Sequence, residues 1–298
     1  MTNVKSARDP KLVLFEGRTA YFYAFLAAVI SQFAGMTLHP LLVPLSQAAL
    51  IFPLFLHYIQ SNRPKQNFKL MVFWSLCMTL SSIGLTLRFS ELARREYLLA
   101  TKYKTEMFRW VETGVGPEGD YRLFLPQHLI QLGILFVTAL VSGGFLDLVL
   151  GAALLNYMSY YVGCLILSAS TKWPLLLVGW PPYAILRVLG YIMLAIACAH
   201  HFYYRLLHYP IDRVLMRRFL YYGLMLVAVR RPYQIPLCRV LETLTEGTLR
   251  KFQLASDLAC EAIFFVAPFD LVAFELCFSR LSGSAEISYF TSPAATSS

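Results

Sequence analysis

Charge is scarce in this chain. Asp, Glu, Lys and Arg make up 14% of its 298 residues, where soluble domains carry roughly a quarter. From Gln127 to Thr171 the only charged side chain is Asp147. Water cannot solvate the surface of such a stretch, and about 18 consecutive apolar residues suffice to cross a bilayer. An ordinary soluble fold is excluded, and nothing points to a nucleic-acid partner.

Other absences narrow the chemistry. Cys77, Cys164, Cys198, Cys238, Cys260 and Cys277 form no CxxC pair, which argues against a disulfide framework or a zinc site. Alternating apolar and polar residues in segments of about ten, the mark of a transmembrane barrel, do not occur. GxSxG, HExxH and P-loop patterns are missing. Thr113-Gly114-Val115-Gly116-Pro117-Glu118-Gly119 matches GxGxxG in letters only. It contains proline and follows no strand, so it reads as a turn and no cofactor is expected. Met1 to Arg18 is polar and basic and the apolar run after it is too long for a signal peptide, so the first span is expected to stay as an anchor.

What is present is apolar: 57% hydrophobic residues and a mean hydropathy of +0.56. The pattern predicts an all-α, polytopic helical transmembrane bundle of about seven spans with short amphipathic surface helices. The spans fall near 20–38, 41–59, 70–87, 127–144, 148–169, 183–203 and 258–278, with a further apolar piece at 220–229 too short to cross. Lys5, Arg8, Lys11 and Arg18, the loop with Arg63, Lys65 and Lys69, and segment 204–257, with nine basic and four acidic residues, all fall on one side. The positive-inside rule makes that side cytoplasmic. The layout is then a cytoplasmic segment 1–19, three spans in 20–87, and an extracytoplasmic amphipathic segment 88–126. A membrane core at 127–203 follows, with a broken helix near 179–182. A basic cytoplasmic segment 204–257, an acidic apolar segment 258–278 and a disordered tail 279–298 complete it. A plasma or inner membrane suits this chain better than an organelle.

Segment 88–126 should hold one amphipathic helix from Ser90, with Leu92, Leu99, Tyr103, Met107 and Trp110 on one face and Glu91–Arg95 and Lys102–Glu106 as i,i+4 pairs. In the basic segment, Arg213, Arg217 and Arg218 accompany Ile211, Leu215 and Leu220, a pattern that attracts anionic lipid. Leu237, Val240, Leu241, Leu244 and Phe252 form a stripe that rests on lipid or receives a protein partner.

Several residues could carry function. Gly179-Trp180-Pro181-Pro182-Tyr183 removes helical hydrogen bonds, and Arg187 follows about one turn later. Arginine inside a span costs about 2.5–3.5 kcal/mol on insertion scales, so Arg187, with Trp180 and Tyr183, either holds an anionic group or snorkels to the surface. Asn156, Ser159, Tyr160 and Gly163 share a helical face flanked by Tyr157 and Tyr161. That face suits interhelical hydrogen bonds or a substrate site lined by Asn156 and Tyr160. Asp147 reads as the cap of a helix starting at Leu148. Glu261, Asp270 and Glu275 interrupt the last apolar segment with no basic residue among them, and intramembrane carboxylates suggest ion or proton handling. His200, His201 and His208 stand at a span end, where an interfacial belt is a better account than a metal site. The leading expectation is a subunit or carrier of a membrane transport or assembly system. A membrane enzyme acting on a lipid-linked anionic substrate, and a scaffold recruiting a cytoplasmic partner, are the alternatives.

Overall fold

The computed structural model describes residues 17–34, 39–113, 121–168, 180 and 182–228. The stripe from Leu237 to Phe252, the carboxylates Glu261, Asp270 and Glu275, segment 258–278, the tail and the GxGxxG turn lie outside the described residues.

All described elements are helices: α1 Arg18–Ala34, α2 Leu42–Gln60, α3 Pro64–Arg88, α4 Ser90–Glu96, α5 Ala100–Thr113, α6 Tyr121–Ser142, α7 Phe145–Ser168, α8 Pro182–Leu207 and α9 Arg213–Ala228. Four stretches, Leu42–Gln60, Pro64–Arg88, Phe145–Ser168 and Ala184–Leu207, are long and apolar enough to cross a membrane. Against the expected seven spans, α1 has 17 residues and the apolar part of α6, His128–Ser142, is shorter still. Their outward faces are nonetheless apolar: Phe22, Phe33, Ile130 and Val141 are each more than half exposed. Water would penalise such a surface, whereas hydrocarbon does not.

Local chemistry sets the helix ends. Pro64 and Pro182 stand at the first positions of α3 and α8, where the missing N–H has no helical partner to lose. Gly143 and Gly144, at φ 62° and 94°, turn α6 back into α7. The Tyr203 hydroxyl lies 2.7 Å from where a Gly143 Cβ would stand, so glycine is needed there on two counts. Asp147 is not the cap of α7. The Leu146 N–H donates to Ser142 Oγ at 2.9 Å, and Asp147 turns inward, 6% exposed. The described part of the expected short piece at 220–229, residues 220–228, is the second half of α9, which packs along α8.

The helix expected from Ser90 is broken in two. Tyr97 ends α4, and Leu99 takes φ 58° before α5 begins, a left-handed conformation unfavourable for leucine. The cause is tertiary. Tyr97 is buried and its hydroxyl donates to Gln32 Oε1 of α1 at 2.9 Å, which pins the chain and leaves Leu99 64% exposed. Of the proposed apolar face, Met107 is buried while Leu92 and Leu99 are exposed. Arg94, three residues after Glu91, makes the ion pair given above to Arg95.

Burial pushes the Tyr97 phenol above its ordinary value, so it stays neutral and keeps donating. Tyr97→Phe should cost about 1 kcal/mol and speed amide exchange in α5 more than in α7. Equal exchange in both variants would mean that the bond does not hold α5. The raised value also means that the unfolded chain loses this proton first. Its contribution to stability is therefore fully present below pH of about 10 and falls as pH rises beyond it.

A continuous polar network crosses the interior of α1, α2, α3 and α7. Gln32 Nε2 donates to Ser82 Oγ at 2.7 Å, and Ser82 Oγ donates to Asn156 Oδ1 at 3.2 Å. Asn156 and Gln47 exchange two amide bonds of 2.8 and 3.2 Å. Each of these side chains is at most 1% exposed.

Candidate functional site

A crevice of about 290 Å³ runs between α3, α5, α6, α7 and α8. Its α7 wall includes Asp147, Leu150, Gly151, Leu154, Tyr157, Met158 and Tyr161, flanked on one side by Leu148, Leu155 and Val162, one broad face at helical spacing. Ile134 and Leu150 line it and are also exposed, so the crevice is open rather than sealed.

One end of the crevice is polar. Arg187, 9% exposed, is turned into the protein and does not snorkel outwards. Its Nη1 lies 3.1 Å from His128 Nε2 of α6. A guanidinium can only donate, so His128 Nε2 is the acceptor in this contact. Gln131, Glu106 of α5 and Trp180 line the same cavity. Trp180 packs on the buried cluster of Met107, Tyr161, Val162 and Ile166. Tyr103 packs there against Tyr157, tilted by 47° at a centroid distance of 4.6 Å, and edge-to-face against Tyr161 at 6.0 Å. Three donors of lining residues, Trp74 Nε1, Tyr161 Oη and Trp180 Nε1, have no hydrogen-bond partner among the described residues. Buried polar groups are rarely left so, and three in one cavity suit an occupant that accepts hydrogen bonds.

The other end holds Asp147. Thr138 Oγ1 of α6 donates to its Oδ1 at 2.5 Å, and Oδ2 has no partner among the described residues. Arg187 is the only lysine or arginine among the described residues lining the crevice. It does not pair with Asp147: their α6 partners, His128 and Thr138, are ten residues apart, about 15 Å of helix.

Of the residues singled out in sequence, Arg187 and Trp180 meet in this crevice. Tyr183 lies in the first turn of α8, and its side chain is outside the described residues. Asn156 and Tyr160 occupy the opposite face of α7: Asn156 in the polar network, and Tyr160 among Val43, Leu85, Ala93 and Tyr97. His128, Gln131, Trp74 and the inward role of Asp147 were missed. A signal existed for α6, since His128, Gln131 and Thr138 recur at i, i+3 and i+10 on one side of an apolar helix.

Among the described residues no three His, Cys, Asp or Glu side chains group in a way that could hold a metal ion. No family model matches the chain, and no curated protein or solved structure is similar to it.

Proposed function

We propose that this chain is a multi-pass membrane protein, its N-terminus in the cytoplasm, that holds a single-chain amphiphile with an anionic head in the crevice between α5, α6, α7 and α8. It would serve as a carrier or as the lipid-holding subunit of a membrane system. The observation that carries this reading is the buried Arg187–His128 pair at one end of a largely apolar, open crevice. A buried guanidinium presents forked donors, and carboxylate and phosphate both accept them. Ligand cavities run from about 300 to 1,000 Å³, so about 290 Å³ suits one chain better than two. Carriage is favoured over catalysis because His128, the obvious base, already spends its Nε2 lone pair on Arg187.

The test is purification in mild detergent followed by native mass spectrometry of the bound lipid. The wild-type chain should retain one anionic single-chain species. Arg187→Gln, folded by thermal denaturation, should lose it about tenfold or more, and Arg187→Lys should keep part of it. Wild-type retention in the glutamine variant would overturn the proposal.

A further inference from the structure

The far end of the crevice carries information about the ligand that Arg187 does not. Asp147 is 94% buried by its 6% exposure, lines the cavity, and has one oxygen served by Thr138 and one by nothing among the described residues. Leu148 beside it in α7 and Ala195 and Ile196 of α8 line the same crevice, and Cys198 of α8 is close enough to Asp147 to interact with it. A carboxylate oxygen left open in such surroundings is unfavourable, and no cationic side chain of the lining compensates it. Thr138 cannot serve both oxygens, because a hydroxyl has one proton to donate.

We infer that the occupant is polar at both ends: an anionic head at Arg187 and His128, and a hydrogen-bond donor, hydroxyl or ammonium, at Asp147. This rests on the reading that the crevice holds an amphiphile, and it adds the substrate class. The spacing fixes the chain. His128 and Thr138 mark the two ends about 15 Å apart on α6. An extended covalent chain advances about 1.2 Å per bond, the rate of a fully extended backbone. The two polar groups are therefore separated by about twelve bonds, the length of an ω-substituted dodecanoate. Asp147 also fixes the orientation. A second carboxylate brought to that end would meet a buried like charge with no cation of the lining beside it, whereas at the other end the Arg187 guanidinium stands against the exposed Glu106.

The test compares three probes with the full chain in lipid nanodiscs: dodecanoic acid, 12-hydroxydodecanoic acid and 12-aminododecanoic acid. At least one ω-substituted acid should bind about tenfold or more tightly than dodecanoic acid, the range of a hydrogen bond to a charged group. Which one does so identifies the donor. That preference should vanish in Asp147→Leu and persist in Thr138→Val, which leaves the carboxylate in place. Should Asp147→Leu fail to fold, Asp147→Asn, which keeps one acceptor and loses the charge, should reduce an ammonium preference more than a hydroxyl one. If all three acids bind alike and still depend on Arg187, water serves Asp147 and the two-ended ligand is overturned while the binding function stands. If none depends on Arg187, the function itself falls, and the inference with it.

Discussion

A single methyl added at Gly190 should disrupt the packing of α8 against α9. Gly190 of α8 faces Gly223 of α9, and a Cβ there would come within 2.8 Å of the Gly223 carbonyl oxygen, 2.9 Å of Val227 and 3.1 Å of the Leu226 Cβ. Two of those three atoms belong to, or are fixed to, the α9 backbone and cannot swing aside. Small residues permit such close crossings inside membranes, where packing replaces the hydrophobic effect as the force between helices. Gly190→Ala should therefore cost about 1–3 kcal/mol by overpacking, and Gly190→Leu more. Thermal unfolding in nanodiscs should fall by roughly 5–10 °C for the alanine variant. Gly84→Ala is the control. Its Cβ would meet nothing within 4 Å, so the higher helix propensity of alanine should leave stability unchanged or raise it. The proposed binding is coupled to this contact, because α9 supports the back of the helix whose front carries Arg187, Tyr191 and Ala195 into the crevice. An α8 displaced by Gly190→Leu should also lose the amphiphile. A leucine variant with wild-type melting temperature and wild-type ligand would show that α9 does not hold α8 in place.

The parts of this architecture legible in sequence are those that rest on local composition. Long uncharged runs gave the helices that cross, and Gly143-Gly144 and Pro182 marked their ends, because helix length and backbone freedom are properties of neighbours in the chain. Arg187 stood out for the same reason: a lone cation near the start of an apolar helix is conspicuous without its partner. What failed depended on residues distant in sequence. No glycine or proline in Tyr97-Leu98-Leu99 announces the break between α4 and α5. It arises because Gln32, 65 residues away, accepts a bond from Tyr97. Asp147 had a satisfactory local explanation as a cap, and only the antiparallel packing of α6 against α7 brings Thr138 to its carboxylate. His128 looked like any isolated histidine until α8 delivered a guanidinium to it. A candidate site of this kind is assembled from one residue per helix, and sequence periodicity reports faces, not which faces meet.

Asn156 shows the same limit from the other side, and its substitution should have the second large effect. Its helical face allowed two uses, interhelical bonding or substrate contact, and the structure gives it three bonds to the side chains of Gln47 and Ser82. Leucine has the branching of asparagine without its polar atoms. Asn156→Leu would leave both amide atoms of Gln47 and the Ser82 hydroxyl without these bonds, at 0–1% exposure. Each orphaned group costs about 1–3 kcal/mol, and interhelical bonds in membranes are worth roughly 0.6–2 kcal/mol, so a loss of about 2–3 kcal/mol is expected. The instructive variant is the double one. Replacing both amides by apolar groups, Asn156→Leu with Gln47→Met, removes the Gln47 orphans along with the bonds, leaves only the Ser82 hydroxyl without its acceptor, and should restore at least half of the loss. The two substitutions should thus be non-additive by about 1 kcal/mol or more in a double-mutant cycle. Ligand retention supplies a separate check. Asn156 lies on the face of α7 away from Tyr157 and Tyr161, so the folded double variant should bind the amphiphile as the wild type does. If it folds with wild-type stability but releases the ligand, Asn156 serves the site and not the bundle.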